Sequence, residues 1–234
     1  MIGVVIPAHN EEHQIAACLA SVLFAATLPA LAGQPVSVVV ILDNCSDHTE
    51  QIVSAHFVSG IEVSFHNVGK ARATGADHML AAGVKWLAFI DADTVVPHDW
   101  LARRIELNAD AVCGTVEVDS WNTHGELVRS KYMELYQFIE NHRHIHGINL
   151  GLSADAYRNE GGFQHLTAHE DFHLVADLKR NGAHIVWTAT NPVITSAHKD
   201  YECRGGFGEY LVDLAAPPPI SIAPTITENQ ASIG

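Results

Sequence analysis

The sequence predicts an α/β protein with a mostly parallel central sheet and helices on both of its faces. In the first ninety residues, short apolar runs rich in β-branched residues alternate with helical stretches. Polar loops at 9–12, 43–47 and 91–93 each follow an apolar run. Because the carboxyl ends of parallel strands share one edge of a sheet, where ligands bind, these loops are expected to converge there.

Four strands and three helices are predicted in this first part. Residues 2–7 form an apolar run that ends in Pro7, as in a buried strand that enters a loop. In residues 13–26, apolar side chains share one helical face. Ser46 or Asp47 can cap the second helix, which extends to about residue 57. The remaining predictions are strands at 36–42, 61–65 and 86–90 and an alanine-rich helix at 70–82.

The second half is less regular. A strand is predicted at 111–118, followed by one long helix at 126–144 whose inward face is Leu127, Tyr132, Leu135, Tyr136 and Ile139. Further predictions are a turn or strand at 147–153, a loop at 161–163, a helix at 170–181 with Gly182 as its C-cap, short strands at 185–188 and 193–196, and a helix at 204–214. Residues 215–234, with three consecutive prolines, are predicted to form a flexible tail.

The composition disfavours several classes of function. Of the 234 residues, 47% are hydrophobic and 17% charged, a mixture that can bury a core. A net charge of −14 disfavours nonspecific binding to nucleic acid or anionic lipid, although one local site can still hold a small anion. The four cysteines are widely spaced, which fits reduced cytosolic thiols better than disulfides or zinc ligands.

No integral membrane span and no secretion signal is predicted. Residues 14–42 carry no charged side chain, but Pro29, Gly33 and Pro35 interrupt the stretch and acidic residues precede it. The first ten residues lack the basic segment and long apolar region of a signal peptide. The expected location is the cytoplasm, either free or peripheral to the membrane.

Two carboxylates, Asp91 and Asp93, directly follow the strand predicted at 86–90. Their hard oxygen atoms suit Mg²⁺ or Mn²⁺, which bridge carboxylates to phosphates. A solvated acidic turn is the alternative, because D-x-D is a common tripeptide. The position at the predicted ligand edge favours the metal site, and His198, after the strand at 193–196, is a candidate to complete the metal shell.

A basic segment that contains Gly69, Lys70 and Arg72 opens the helix predicted at 70–82. Backbone N–H groups at a helix N-terminus and two cations favour an anionic ligand. The alternative is an exposed basic turn.

Two adjacent acids, Glu170 and Asp171, begin another predicted helix. Acids at a helix start are often simple partners of the helix dipole. A carboxylate there can also act as a general base that takes the proton from an attacking hydroxyl group.

Sixteen histidines are present, and His142, His144 and His146 alternate along the chain. One helix face cannot hold all three, although a strand would align them. A metal cluster at these histidines is therefore not expected.

The ordered set of these motifs resembles family 2 of the glycosyltransferases, which have the GT-A fold. The matching segments span about residues 2–210: VVIPAHNEE (4–12), LDNCSDHT (42–49), NVGKARATG (67–75), FIDAD (89–93), HGINLGLSADAY (146–157), GGF (161–163), HED (169–171) and residues 196–207. The resemblance implies a Rossmann-like sheet with a smaller fused acceptor-side subdomain. It implies a nucleotide-sugar-binding half at 1–115 and an acceptor and catalytic half at 116–214.

The resemblance also implies roles for individual residues. Those that would bind the nucleotide sugar are Pro7, Ala8, Asn10, Glu11, Asp43, Gly69, Lys70, Arg72, Asp91, Ala92, Gly147 and Asn149. Among them, Asp43 would pair with the base, and Lys70 and Arg72 would lie near the base and phosphates. Asp91 would lie near the ribose and Asp93 would ligate the metal. Asp171, the second acid of the pair with Glu170, would be the catalytic base.

The sequence departs from the family pattern at two places. The loop after the second strand reads Leu42-Asp43-Asn44-Cys45 and keeps one acid, which leaves the choice between uracil and guanine open. His198 stands where relatives often have arginine, so a permanent cation becomes a titratable group. Arg204 is a candidate to supply the phosphate-facing charge instead.

The implied reaction moves a sugar from a nucleoside-diphosphate sugar to an unknown hydroxyl acceptor with inversion at the anomeric carbon, assisted by Mg²⁺ or Mn²⁺. Two other classes stay open. One is a nucleotide-sugar-binding protein without transferase activity. The other is a sugar-phosphate nucleotidyltransferase, although PAHNEE stands where such enzymes have a Gly-rich loop.

Overall fold

A computed structural model describes residues 1–122, 124–196 and 206–215. Across these residues, eight strands form one mostly parallel sheet with helices on both faces, which confirms the α/β prediction. His198, Arg204 and the predicted tail from residue 216 onward lie outside the described residues. None of the described helices combines the length and the apolar character that crossing a bilayer requires.

The sheet brings its parallel strands to a common edge. In chain order the strands are β1 (Ile2–Ala8), β2 (Val36–Asp43), β3 (Ser59–Val63), β4 (Trp86–Phe89), β5 (Thr94–Val95), β6 (Ala111–Val118), β7 (Leu150–Ser153) and β8 (Ile185–Thr195). Their order in the sheet is β3-β2-β1-β4-β7-β6-β8-β5. β7 is antiparallel to β4 and β6, and β5 is antiparallel to β8. The carboxyl ends of β1 to β4, β6 and β8 therefore lie at one edge, where β7 begins.

Helices cover both faces of the sheet because side chains alternate along its strands. The helices are α1 (Ile15–Ala25), α2 (Thr49–Ala55), α3 (Val68–Ala81), α4 (Trp100–Glu106), α5 (Glu126–Leu135), α6 (Ala154–Asn159), α7 (Glu170–Arg180) and α8 (Phe207–Ala215), and 3-10 turns lie at Pro29–Leu31 and Gly147–Asn149. Val4 and Ile6 pack in one core with residues of α1 and α4. Val5 packs in the other core with residues of α3 and α7.

The long helix predicted at 126–144 is wrong, because α5 ends at Leu135 and Tyr136 is extended. The Tyr136 hydroxyl accepts the backbone N–H of Val116 at 3.1 Å, and the Tyr132 hydroxyl donates to the carbonyl of the same residue. These bonds to β6 hold the chain where it leaves the helix. Two of the five residues of the predicted inward face, Tyr132 and Tyr136, are buried, whereas Leu127, Leu135 and Ile139 are exposed.

The two short strands predicted at 185–188 and 193–196 are parts of one strand, β8. Its register against β6 shifts, so that Thr188 pairs with Gly114 and Val193 with Val116. The intervening residues form a bulge. The bulge interrupts the alternation of side chains, so the sequence pattern predicts two strands where the structure has one. β5, α4 and α6 have no counterpart in the prediction.

Gly75 allows α3 to pack closely on β1, and Gly75→Ala should destabilise the protein. A Cβ at this position would overlap a methyl group of Val5 and lie 3.2 Å from a side-chain carbon of Ile41. Overpacking costs about 1–3 kcal/mol, which exceeds the 0.5–1 kcal/mol, roughly, that alanine gains over glycine in a helix. Urea denaturation should show a lower free energy of unfolding. The exposed control on the same helix, Asp77→Ala, should change it by less than about 0.5 kcal/mol.

Candidate functional site

The carboxyl edge of the sheet carries acidic residues around a buried arginine. Arg72, on α3, bridges two carboxylates: Nη2 donates to Asp91 Oδ1 at 2.6 Å, and Nη1 donates to Glu170 at the start of α7. Burial would lower the pKa of Arg72, but the carboxylates of Asp91, Glu170 and Asp171 outweigh burial and raise it. Arg72 therefore stays charged and joins α3, the loop after β4 and α7.

The two acids of the D-x-D motif have different partners. Burial raises the pKa of Asp91 to about 6, an effect that Arg72 opposes and Asp93 reinforces. Asp93 Oδ1 accepts hydrogen bonds from the hydroxyls of Thr195 at 3.0 Å and Thr94 at 3.3 Å, and Oδ2 accepts one from Ser196. Asp93 is thus oriented by hydroxyl groups at the end of β8 and the start of β5.

Asp91 and Asp93 fit the protein's share of a magnesium or manganese site. Both offer hard oxygen ligands, and the hydroxyls that orient Asp93 resemble the outer-shell partners of metal-binding carboxylates. Within the part of the chain that the structure describes, no group of three His, Cys, Asp or Glu side chains is placed to hold an ion. Mg²⁺ usually takes one or two carboxylates and completes its shell with water and substrate phosphates, so two acids are a sufficient contribution.

Glu170 and Asp171 are adjacent in sequence but differ in environment. Glu170 is buried and paired with Arg72. Asp171 is half-buried, and its two oxygens accept the backbone N–H groups of Gly147 and Phe172, each at 2.7 Å. Burial raises the pKa of Asp171, Arg72 opposes this, and Glu170 reinforces it. Asp171 is therefore a stronger proton acceptor than an ordinary aspartate.

Asp43, at the end of β2, organises the loop that precedes α3. Its carboxylate accepts backbone N–H groups from Phe65 at 2.6 Å, His66 at 3.0 Å and Asn67 at 2.9 Å. Burial would raise the pKa of Asp43, but these three bonds outweigh it and lower the pKa. Asp43 therefore holds the loop as an ionised group.

Asp43→Asn should lower the free energy of unfolding by about 1.5–3 kcal/mol at pH 7, because bonds to an ionised carboxylate are lost and an amide N–H faces backbone N–H groups. The folded-state pKa of Asp43 lies below the ordinary value of 3.8, which applies to the unfolded chain. The ionised carboxylate therefore stabilises the fold fully above pH 3.8. This stabilisation is lost as the pH falls through the folded-state pKa. Denaturation experiments measure the free energy of unfolding at pH 7, 5 and 3. The difference between wild type and variant should be the same at pH 7 and 5 and smaller at pH 3. A difference that persists undiminished at pH 3 would show that the charge is not its source.

The loops after β1 and β2 are hydrogen-bonded to each other. Asn10 has a left-handed backbone (φ 52°), and its side chain accepts the N–H of Ser46 at 2.8 Å. The N–H of Glu11 donates to Thr49 Oγ1 at 2.8 Å. The structure thus brings together two of the predicted polar loops. The neighbouring candidates Pro7, Ala8 and Ala92 are buried and support this edge from within.

The N-terminus of α3 places Lys70 at the same edge. Asn67 caps the helix by accepting the N–H of Lys70 at 2.8 Å, and its side-chain amide donates to the carbonyl of Leu166 at 2.8 Å. Gly69 is buried, and a Cβ there would lie 3.0 Å from Cγ of Glu170. A half-buried lysine at a helix N-terminus is unfavourable with respect to the dipole unless an anion binds there.

Gly147 and Asn149 form a 3-10 turn beside Arg72. A Cβ on Gly147 would overlap the Arg72 guanidinium. Asn149 is fully buried: its oxygen accepts from the Trp100 indole at 3.0 Å and from Arg104, and its amide donates to a backbone carbonyl. Asn149 therefore supports the turn from inside the protein.

His142, His144 and His146 lie in a segment without helix or strand and stack as aromatic rings. The ring centroid of His144 is 3.9 Å from that of Tyr136, and the rings are nearly parallel. Burial lowers the pKa of all three histidines, that of His146 to about 3. These rings are therefore neutral and act as packing groups.

Several residues of the site have no signal in the sequence. Thr94, Thr195 and Ser196 orient Asp93, but their hydroxyls are common at strand ends. Trp100 and Arg104 contact Asn149 from a helix that periodicity does not predict. His198 and Arg204, in contrast, are candidates that lie outside the described residues.

The sequence from β1 to the end of α6 matches a known protein family. The family model, described as glycosyl transferase family 2, covers residues 3–161. No curated protein is significantly similar to the chain in sequence.

Solved structures share the fold. One is S. aureus TarS 1–349 in complex with UDP-GlcNAc, at 17% identity and a TM-score of 0.66, covering 92% of this chain and 65% of that one. Another is the mannosyltransferase PcManGT from Pyrobaculum calidifontis in complex with GDP-Man and Mn²⁺, at 18% identity and a TM-score of 0.63, covering 85% of this chain and 57% of that one. This chain spans less than two thirds of either structure, and similarity at this identity concerns the fold.

Proposed function

We propose, since the chain belongs to glycosyltransferase family 2, that it is a metal-dependent, inverting glycosyltransferase. It transfers a sugar from a nucleoside-diphosphate sugar to an acceptor hydroxyl. The observation that carries the proposal is the pair of ion pairs of Arg72, which joins Asp91 to the start of α7. Donor-side and acceptor-side acids thus belong to one cluster.

The donor binds along the loops that follow β1, β2 and β4. Asn10 and Glu11 border the nucleotide, and Asp43 and the loop that it holds contact the nucleobase. Lys70, at the N-terminus of α3, meets the diphosphate. The solved relatives are in complex with UDP-GlcNAc and GDP-Man, so both uracil and guanine remain candidate bases.

Asp93 and Asp91 would hold Mg²⁺ or Mn²⁺, and His198 and Arg204 are candidates to add a metal ligand and a phosphate-facing charge. When bound, the ion offsets the charge that develops on the leaving diphosphate. The acidic surroundings support this assignment, because Asp91 and Asp93 would otherwise repel the donor's phosphates. Mn²⁺ in the PcManGT complex also supports it.

Asp171 is the catalytic base. The N–H groups of Gly147 and Phe172 fix its carboxylate, and its raised pKa increases its affinity for a proton. It takes the proton of the acceptor hydroxyl while the hydroxyl oxygen attacks the anomeric carbon on the face opposite the diphosphate, and the bond from that carbon to the diphosphate oxygen breaks as the diphosphate leaves. That geometry inverts the configuration at this carbon.

A thermal-shift screen tests the proposal with UDP-GlcNAc, UDP-glucose, UDP-galactose and GDP-mannose, each with Mn²⁺ or with EDTA. A ligand at one hundred times its Kd stabilises the folded state by about 2.7 kcal/mol, so at least one donor should raise the melting temperature in Mn²⁺ but not in EDTA. Slow release of free sugar from that donor should accompany it. Donor binding without any turnover would favour a nucleotide-sugar-binding protein. Pyrophosphate release from a nucleoside triphosphate would favour a nucleotidyltransferase.

A further inference from the structure

Arg72 has little surface open to any ligand. Its side chain is 5% exposed, and both terminal nitrogens donate to carboxylates. Nε is also buried and has no hydrogen-bond partner among the described residues. Because the guanidinium lies against Gly147, a phosphate could reach it only by displacing Asp91 or Glu170.

The same contacts give the two acids of α7 different tasks. Glu170 is buried and its charge is compensated by Arg72. Asp171 is half-buried and bonded to backbone N–H groups, with its charge uncompensated by any direct ion pair among the described residues. Two carboxylates in different environments can take different roles in proton transfer.

We propose that Arg72 is a positioning residue and not a phosphate ligand. It neutralises Glu170, ties Asp91 to the start of α7, and leaves Asp171 as the carboxylate that takes the acceptor's proton. This inference rests on the proposed function and changes the role that the family resemblance implies for Arg72. Lys70 is then the cation of the basic segment that meets the diphosphate.

The affinity that a diphosphate adds to a nucleoside distinguishes the two roles. Calorimetry in Mn²⁺ gives the ratio of the nucleoside Kd to the nucleoside-diphosphate Kd, with uridine and UDP or with guanosine and GDP, whichever pair the wild type binds. Arg72→Gln should change this ratio by less than about twofold at saturating Mn²⁺, because Asp93 keeps the ion and no direct contact between the protein and the diphosphate is lost. Lys70→Gln should reduce it by at least about fivefold, because a charge-assisted contact to phosphate is lost.

A fall in the ratio for Arg72→Gln as large as that for Lys70→Gln would overturn the positioning role. If Arg72→Gln does not fold, the double variant Arg72→Gln/Glu170→Gln gives the same comparison, since it removes one carboxylate that would lack a partner. If the wild type binds neither nucleotide pair, the proposed function fails and the role of Arg72 fails with it.

The pH dependence of donor turnover is the second readout. Among the described residues, the groups that face Asp171 are Arg72, Glu170, the N–H groups of Gly147 and Phe172, and the Cys113 thiol, which is neutral because burial raises its pKa to about 12. Losing the cation raises the pKa of Asp171, and a base must be deprotonated to act. For Arg72→Gln the acidic limb of kcat/KM should therefore move to higher pH by about 1 unit or more. Arg72→Lys should return the acidic limb of kcat/KM most of the way to its wild-type pH. If this limb does not move in Arg72→Gln, the proposal is contradicted.

Discussion

Asp171→Asn should reduce sugar transfer by about 10²–10⁴-fold and leave nucleotide affinity within about twofold of wild type. An amide cannot take up the acceptor's proton at neutral pH. The expected loss therefore lies in kcat, whereas binding at the loops after β1, β2 and β4 does not involve this side chain. Transfer is measured with the donor identified by thermal shift, and affinity with the corresponding nucleoside diphosphate by calorimetry.

Asp155→Asn is a matched control, because Asp155 also lies in the first turn of a helix and its side chain is 88% exposed. It should change neither turnover nor affinity. Turnover by Asp171→Asn that equals the control would remove Asp171 from the base role. A parallel loss of nucleotide affinity would show instead that the substitution disturbs the turn at Gly147.

Asp93→Ala should abolish the dependence of nucleoside-diphosphate affinity on Mn²⁺, with a loss of at least about 100-fold in the presence of the metal. Asp93 offers both oxygens at the carboxyl edge, and Thr195 and Ser196 hold them in place. Without this ligand the diphosphate faces Asp91 with less compensating charge. Calorimetric titrations with Mn²⁺ and with EDTA measure both quantities.

Thr195→Val tests the orienting hydroxyl separately. Loss of an outer-shell partner typically costs 10–100-fold in metal affinity, so this variant should weaken Mn²⁺ binding by about that factor. Asp119→Ala, an exposed acid just after β6, should have no effect. If nucleotide affinity in Asp93→Ala equals that of wild type and does not respond to EDTA, the metal does not bind at Asp93.

The first half of the fold could be predicted because its signals are local. The strands at β1, β2 and β4 are continuous apolar runs, and the polar loops after them mark the edge where ligands of parallel sheets bind. The prediction failed at α5, where helical periodicity continues past Leu135 but the bonds of Tyr132 and Tyr136 to Val116 hold the chain against β6. Such bonds join distant parts of the sequence and leave no periodic trace.

The sequence by itself determined the α/β class and identified the acids that form the candidate site, because strand and helix periods, loop composition and motif order are properties of neighbouring residues. Only the tertiary structure decided how the acids differ. It placed Arg72 between Asp91 and Glu170, and it left Asp171 with backbone N–H partners. The physical reason is that burial and charge compensation depend on which distant side chains meet at the sheet edge. Residue type and spacing do not encode that meeting.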